Sequence, residues 1–350
     1  MGEDEEAAGP SRRLCSGGAG GSDYSDSDES PLIQSELDGD DERMEDERDG
    51  IVRIRIPPGE ERSTDPHARF PKERGKTLFA CGLLVTAGVS NTIVLSAVHE
   101  KVPETPPLPD FIFALTPYFP YGLVLAEYIM LSMFVMTVTL VLFHRHRWIV
   151  MRRLAFLGAL LYFCRCVTMF VTQVPVADVN YHCSPKLKGE NATFLNVLIR
   201  GLEVVTGLGL QVAGKHVLCG DYIYSGHTIV LTISALFIGQ YTPRRWRLVH
   251  WTAWILAIAG MFLLIVSRGH YTIDVIISYV ICTRVFYAYH TQAANPSLRL
   301  APQNHHRKEC WFPVFAFFEG NITRAVPRRY DCPIPIAPIL AIIRRKSNQQ

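Results

Sequence analysis

Two histidines stand at the mouths of hydrophobic runs in this sequence, His227 in "CGDYIYSGHT" and His270 in "SRGHYTID". His270 and Asp274 are spaced i, i+4, so on a continuous helix they share a face and the carboxylate can accept from ring Nδ1. That leaves Nε2 as a nucleophile, the arrangement that activates histidine for covalent catalysis, and phosphorus is a suitable electrophile for it. His227 follows the small pair Ser225–Gly226, which lets a substrate come close to the backbone, and can protonate a departing alkoxide. A lone histidine near a helix end is more often structural, and two histidines with an aspartate can also bind a metal. The short helical HExxH motif that supplies many catalytic zinc sites is missing, so the pattern points to a nucleophile and an acid working without metal or cofactor.

Such a pair needs elements that bring both rings to one place, and the apolar residues supply them. Hydrophobic residues make up 48% of the 350, gathered in runs of the length that crosses a bilayer. Six candidate spans, at about 77–98, 121–143, 149–171, 223–241, 249–267 and 272–290, make this an all-α membrane protein with six transmembrane helices. The clusters "FPKERGK", "HRHRW" with "MRR", "TPRRWR" and "HHRK" fall on one side if the six alternate, which makes both termini cytosolic. His227 opens one run and His270 follows the next, so a single hairpin carries both to the opposite face. A seventh apolar stretch, "FLNVLIRGLEVVTGLGL", holds Arg200 and Glu203 on one helical face and reads as interfacial or re-entrant. Counting it as a span would turn most of the positive charge outward.

Residues 1–50 carry 17 acidic side chains against 4 Lys/Arg, a composition with too few apolar groups to bury a core. The organisation is therefore a disordered acidic cytosolic tail over 1–74 that ends in a basic juxtamembrane stretch, a six-span catalytic domain over 75–292, and a cytosolic C-terminal tail over 293–350. No apolar segment near Met1 resembles a signal peptide, so targeting falls to the first span. The nine cysteines show no CxxC spacing, which argues against a zinc module, and nothing points to nucleic acid. Cys183 and Cys219 both fall on the non-cytosolic side, where disulfides persist, and are a candidate bridge. Of two sequons, "NAT" at Asn191 lies in an external loop and is the candidate glycosylation site, whereas "NIT" at Asn321 lies in the cytosolic tail.

Glu127 and Arg165 fall in the external half of the second and third spans, where a charge costs about 2.5–3.5 kcal/mol to insert and needs a partner or ligand. Two uses stand open: they pair with each other, or Arg165, together with Arg268, holds a lipid phosphate against His270.

Four blocks in order make the chain resemble the sphingomyelin synthases and their relatives in the lipid phosphatase superfamily. They are "PLPD" ending at Asp110; Arg152, Arg153, Tyr162, Arg165 and Thr172 in the pattern RRx8Yx2Rx6T; "CGDYIYSGHT"; and His270 to His290 in the pattern HYTxDVx3Yx6Fx2YH. The resemblance implies a lipid-phosphatase-like catalytic helix core and a triad of His227, His270 and Asp274 facing the lumen or cell exterior, with no metal. It implies transfer of phosphocholine from phosphatidylcholine to the primary hydroxyl of ceramide through a phosphohistidine, releasing sphingomyelin and diacylglycerol. Arg165, Arg268, Tyr271, Ser225 and Asp221 are the expected substrate contacts. Golgi and/or plasma membrane is the implied compartment, and a homo-oligomer is compatible with it. A synthase of ceramide phosphoethanolamine that uses phosphatidylethanolamine is the nearest alternative. A lipid phosphate phosphatase is further off, because the KxxxxxxRP block that such enzymes carry ahead of SGH is absent.

Overall fold

The structure, a computed structural model, describes residues 70–331 apart from 179–180, 182, 188–192 and 207–217. Asn191 and nearly all of the acidic tail lie outside the described residues. Among the described residues the secondary structure is helical, with one isolated bridge between His144 and Tyr330.

Five helices are long and apolar enough to cross a membrane: α1 (Arg74–His99), α3 (Gly122–Phe143), α4 (Arg147–Val171), α7 (Arg247–Val266) and α8 (Thr272–Ala294). A short helix, α2 (Phe111–Leu115), precedes α3. The count differs from the six expected because the run at 223–241 forms α6 (Gly226–Tyr241), which has only 16 residues. At 1.5 Å per residue it is about 24 Å long, short of a hydrocarbon core of about 30 Å. Its missing first turn is spent on a tight bend: Gly220 and Ile223 have φ of 110° and 71°, and the Ser225 hydroxyl caps the helix by accepting from Thr228 N. A helix that is apolar all round belongs in an interior. Accordingly α6 is buried along nearly its whole length between α3, α7 and α8. The outward faces of the other helices are apolar and exposed, as at Val135, Val167, Ile255 and Ile258, which is the surface a bilayer covers.

The glycine-rich stretch contains α5 (Phe194–Thr206), whose 13 described residues lie along α1. Gly201 permits the close approach, since a Cβ there would sit 3.0 Å from Ile93 Cα, and Ser96 Oγ donates to Val197 O at 2.8 Å. Arg200 pairs with Glu100 at 2.8 Å. Nearby, Cys183 and Cys219 form a disulfide, with their Cα atoms 5.8 Å apart.

After α8 the chain continues through α9 (Pro296–Leu300) and a 3-10 turn (His305–Lys308) to α10 (Phe312–Glu319). The end of α10 plugs into the bundle. Glu319, fully buried, takes Arg153 in a two-pronged pair, Nε to Oε1 at 3.0 Å and Nη2 to Oε2 at 2.6 Å. Tyr289 Oη donates to the same carboxylate at 2.8 Å, Arg299 donates to Glu319 O, and Arg153 also donates to the Tyr241 hydroxyl. His290 Nε2 bonds that hydroxyl at 3.0 Å. Arg152 pairs with Glu73 at 3.1 Å, and Asn321 reaches Glu73 as well. Arg152, Arg153, Tyr289 and His290 thus hold one end of the bundle together, about 12 residues or 18 Å along α4 from Arg165.

Candidate active site

The opposite end gathers His227 at the start of α6, His270 just ahead of α8 and Asp274 in its first turn. The positions are built from the loops upward. Asp110, last residue of "PLPD", caps α2 by accepting from Ile112 N at 2.9 Å and also accepts from Thr272 N and Thr272 Oγ1 at 2.8 Å. These hydrogen bonds outweigh the upward pull of burial and hold its carboxyl below the ordinary aspartate value. One loop carboxylate therefore fixes the N-terminus of the helix at whose start His270 and Asp274 stand. Asp274 is fixed in turn by two backbone donors, Ile223 N at 2.8 Å and Tyr271 N at 3.0 Å. Ile223, a β-branched residue in the left-handed region, is strained there, and that strain aims its N–H at Asp274.

The four ionisable groups form a line. Asp274 Oδ2 lies 3.6 Å from His270 Nδ1. His270 Nε2 lies 3.5 Å from His227 Nδ1, and His227 Nε2 lies 3.7 Å from Glu127 Oε1. Each imidazole is thus backed by one carboxylate and turns its other nitrogen toward the second imidazole. Three members are nearly sealed, with side-chain exposures of 3% for His270, 1% for Asp274 and 2% for Glu127, whereas His227 keeps 14%. The His270–Asp274 face expected from spacing is present. Glu127 as the backing group of His227 is what the sequence did not disclose: its partner lies 100 positions away, and only the depth of a carboxylate in a span marked it.

Arg165 does not pair with Glu127. Its guanidinium donates to Asn91 Oδ1 at 2.8 Å, to Tyr224 O and to Asp221, with which it forms an ion pair. Gly226 makes room for this, because a Cβ there would lie 3.1 Å from Arg165 Cζ. The glycine before His227 is small for the arginine's sake. Ser225 is fully buried with its hydroxyl committed to the helix cap. Tyr271 donates its hydroxyl to Pro175 O at 3.1 Å and accepts from Leu108 N at 3.0 Å, stitching two loops over the start of α8. Among the expected substrate contacts Arg268 is placed differently: partly exposed with φ 54°, its Cζ lies 5.8 Å from the Phe113 ring and 5.4 Å from the Tyr118 ring.

Asp221, His227 and His270 bring potential ligand atoms within 4.8 Å of one another, close enough to hold a metal ion. The donor set fits poorly: Asp221 already neutralises Arg165, and a second cation beside that guanidinium meets like charge.

The helix pair with the two histidines sets the class: the "PAP2 superfamily C-terminal" model matches residues 218–291, which contain His227, His270 and Asp274. A phosphatidylcholine:ceramide cholinephosphotransferase 1 from Caenorhabditis elegans is 55% identical over 296 residues, 84% of this chain and 62% of its own length. The enzyme of that name from Rattus norvegicus is 38% identical over 287 residues, 81% of this chain and 67% of its own. Phosphatidylcholine:ceramide cholinephosphotransferase 2 from Homo sapiens is 37% identical over 279 residues, 79% and 76% respectively. The chain belongs to the phosphatidylcholine:ceramide cholinephosphotransferase family.

Proposed function

We propose that this protein is a phosphotransferase that moves phosphocholine from phosphatidylcholine to the primary hydroxyl of ceramide, producing sphingomyelin and diacylglycerol. The observation that carries the reading is the carboxylate–histidine–histidine–carboxylate line, three members of which, His227, His270 and Asp274, lie within residues 218–291 matched by the family model. His270 Nε2 attacks phosphorus while His227, protonated at the outset, gives its Nδ1 proton to the diacylglycerol oxygen as the P–O bond breaks. Asp274 steadies the positive charge that grows on His270, and Glu127 holds the His227 ring from the far side. His227 then takes the proton of the ceramide hydroxyl, whose oxygen displaces His270 from phosphorus, and both rings return to their starting state. A gap of 3.5 Å between the rings has no room for a phosphoryl group, so donor entry parts them.

Arg268, cradled by aromatic faces beside His270, contacts the phosphate. Arg165 and Asp221 act one step back, positioning the turn that carries His227, as Ser225 and Tyr271 position the helix starts. The Lys/Arg clusters at the Arg153 end support cytosolic termini and a lumenal or extracellular site, in Golgi and/or plasma membrane. A mobility shift on endoglycosidase treatment that disappears in Asn191→Gln and persists in Asn321→Gln is expected from that orientation, and the reverse pattern would refute it.

The reaction is tested by supplying labelled ceramide to the protein in liposomes that hold phosphatidylcholine and phosphatidylethanolamine together. Labelled sphingomyelin is the expected product. Ceramide phosphoethanolamine as the main product would reassign the headgroup, and release of water-soluble phosphocholine alone would make the protein a hydrolase.

A further inference from the structure

At the end of the bundle away from the histidines, three separate stretches of chain enclose a cavity of about 520 Å³. They are residues 70–74 ahead of α1, 145–149 at the α3–α4 turn and 327–331 beyond α10. Backbone hydrogen bonds build its walls: Arg145 N donates to Arg329 O and Asp331 N to Phe143 O, each at 2.8 Å, beside the His144–Tyr330 bridge. Five cations line it, Lys72, Arg74, Arg145, Arg147 and Arg329, against one carboxylate, Asp331. Arg145 meets Asp331 only at 4.0 Å with both side chains more than half exposed, so the pair is weak. Among the described residues, Lys72, Arg74, Arg147 and Arg329 have no carboxylate within 4.0 Å; Arg74 lies over the Trp148 ring at 5.3 Å. The N-terminus of α4 opens here, its N-cap His146 making no side-chain cap bond, and the aligned peptide dipoles of the helix add positive potential.

Positive charge at the cytosolic ends of spans serves orientation, but orientation requires charge in a loop and not a walled cavity. Like-charged groups held around a hollow repel one another and are relieved by an anion. His146, on the wall with its ring tilted 45° to that of Phe70 at 4.6 Å between centroids, registers that potential: burial, then Arg145 and Arg329, hold its pKa below the usual histidine value. The zwitterionic donor of the proposed reaction is the wrong shape of charge for this hollow, since its quaternary ammonium would meet five cations. The surroundings favour a lipid over a soluble anion. Leu78 and Phe79, in the second turn of α1, and Leu142 and Phe143, at the end of α3, are exposed, giving acyl chains an apolar surface that continues from the mouth.

We propose that this cavity binds the phosphomonoester headgroup of an anionic lipid in the adjoining leaflet, with Arg147 and Arg329 as its principal phosphate contacts. Occupancy ties the segment at 327–331 to the α3–α4 turn through a shared anion. The proposal stands apart from the reaction at the other end of the bundle.

The test uses full-length protein in phosphatidylcholine nanodiscs doped with phosphatidic acid as the probe, and native mass spectrometry to count retained lipid. Phosphatidic acid should be enriched over phosphatidylcholine by about tenfold, the range of one charge-assisted contact pair. Arg147→Gln with Arg329→Gln should remove the enrichment, and Arg147→Lys with Arg329→Lys should restore part of it. Unchanged enrichment in the glutamine pair would overturn the proposal. Displacement of the lipid by equimolar inorganic phosphate would also overturn it, in favour of a soluble anion. In the unaltered protein, whose folding is not in question, photoactivatable phosphatidic acid should label peptides containing 145–149 or 327–331. Labelling confined to other peptides would refute the assignment.

Discussion

The two ends of the bundle use the same residue types to opposite purposes. At the Arg153 end, guanidinium, carboxylate, two phenols and an imidazole satisfy one another at 2.6–3.1 Å, and Glu319 sits fully buried in the middle. At the His270 end, the carboxylates stand 3.6 and 3.7 Å from the rings they back, and buried nitrogens His270 Nδ1 and His227 Nε2 have no hydrogen bond. A satisfied buried network fixes structure, whereas one left slightly open keeps its groups available for proton movement. Composition alone therefore does not separate scaffold from site. The spacing of each carboxylate from its partners does, 2.6–3.0 Å around Glu319 against 3.6–3.7 Å behind the histidines, whereas unbonded buried nitrogens occur at both ends, at Arg152 and His144 as at His227 and His270.

The largest expected effect falls on the open end. His227→Ala, His270→Ala and Asp274→Ala should each lower turnover by roughly 10⁴-fold or more without adding up in combination, because groups that act as one unit lose their effect together. Thermal unfolding in detergent should barely move for the two histidine variants and fall for Asp274→Ala, which orphans the Ile223 and Tyr271 amides, and near-normal turnover in any one would remove that residue from the mechanism. Chelators should leave turnover unchanged; loss in EDTA that zinc restores would put a metal at Asp221, His227 and His270 instead.

The closed end should break the other way. Arg153→Met leaves Glu319 buried without its partner, a loss of about 3–5 kcal/mol for this kind of site, and should lower the unfolding temperature and yield of folded protein. Arg153→Met with Glu319→Leu should recover much of that stability. A single variant that stays fully stable but loses turnover would mean the two ends do not divide the work as described.

Glu127→Gln comes next, with a loss of about 10²-fold in turnover, the scale of a general acid–base contribution, and folding intact. Its signature should be a changed pH–rate profile, because the group acts through His227; a fall in turnover with an unchanged profile would make it a packing residue. Gly226→Ala should be milder, costing about 1–3 kcal/mol as the added methyl presses on a guanidinium held by three partners.

The reach of the sequence follows the same division. The proximity of His270 and Asp274 is legible because i, i+4 spacing reports a shared helical face, and that of His227 because one hairpin joins the two helix ends. Arg165 and Glu127 were marked by charge at membrane depth, but their partners were not, since Asp221 and His227 come from a different hairpin. Ser225 and Tyr271 were read as substrate contacts for standing in a motif, yet motif membership does not say whether a hydroxyl turns toward ligand or backbone. The fourth apolar run forms a helix shorter than its length suggests, because a run of apolar residues does not show that the bend at Ile223, with its positive φ, delays the helix start to Gly226. Arg153 is set apart from the histidines by its place in a Lys/Arg cluster, but only the fold reveals that Tyr289 and His290, from the same block as His270, join it in one network around Glu319 and Tyr241.

The smallest effect tests how firmly the closed end holds. His144, fully buried, accepts from His146 N through Nδ1, and burial with the neighbouring His146 and Arg153 charges lowers its pKa from 6.5 to about 4. Its folded form binds fewer protons than the unfolded one between those values, so stability is complete above pH 6.5 and declines as pH falls toward about 4. Hydrogen exchange at the Arg145 and Asp331 amides, corrected for intrinsic rate, should quicken across that window, and His144→Gln should flatten the trend.

The central claim is that His270 carries the phosphoryl group. Protein incubated with phosphatidylcholine labelled at phosphorus, without ceramide, and quenched rapidly should hold acid-labile, base-stable label that maps to the peptide containing His270 and is chased into sphingomyelin when ceramide is added. Absence of such label, or label that persists in His270→Ala, would contradict the account.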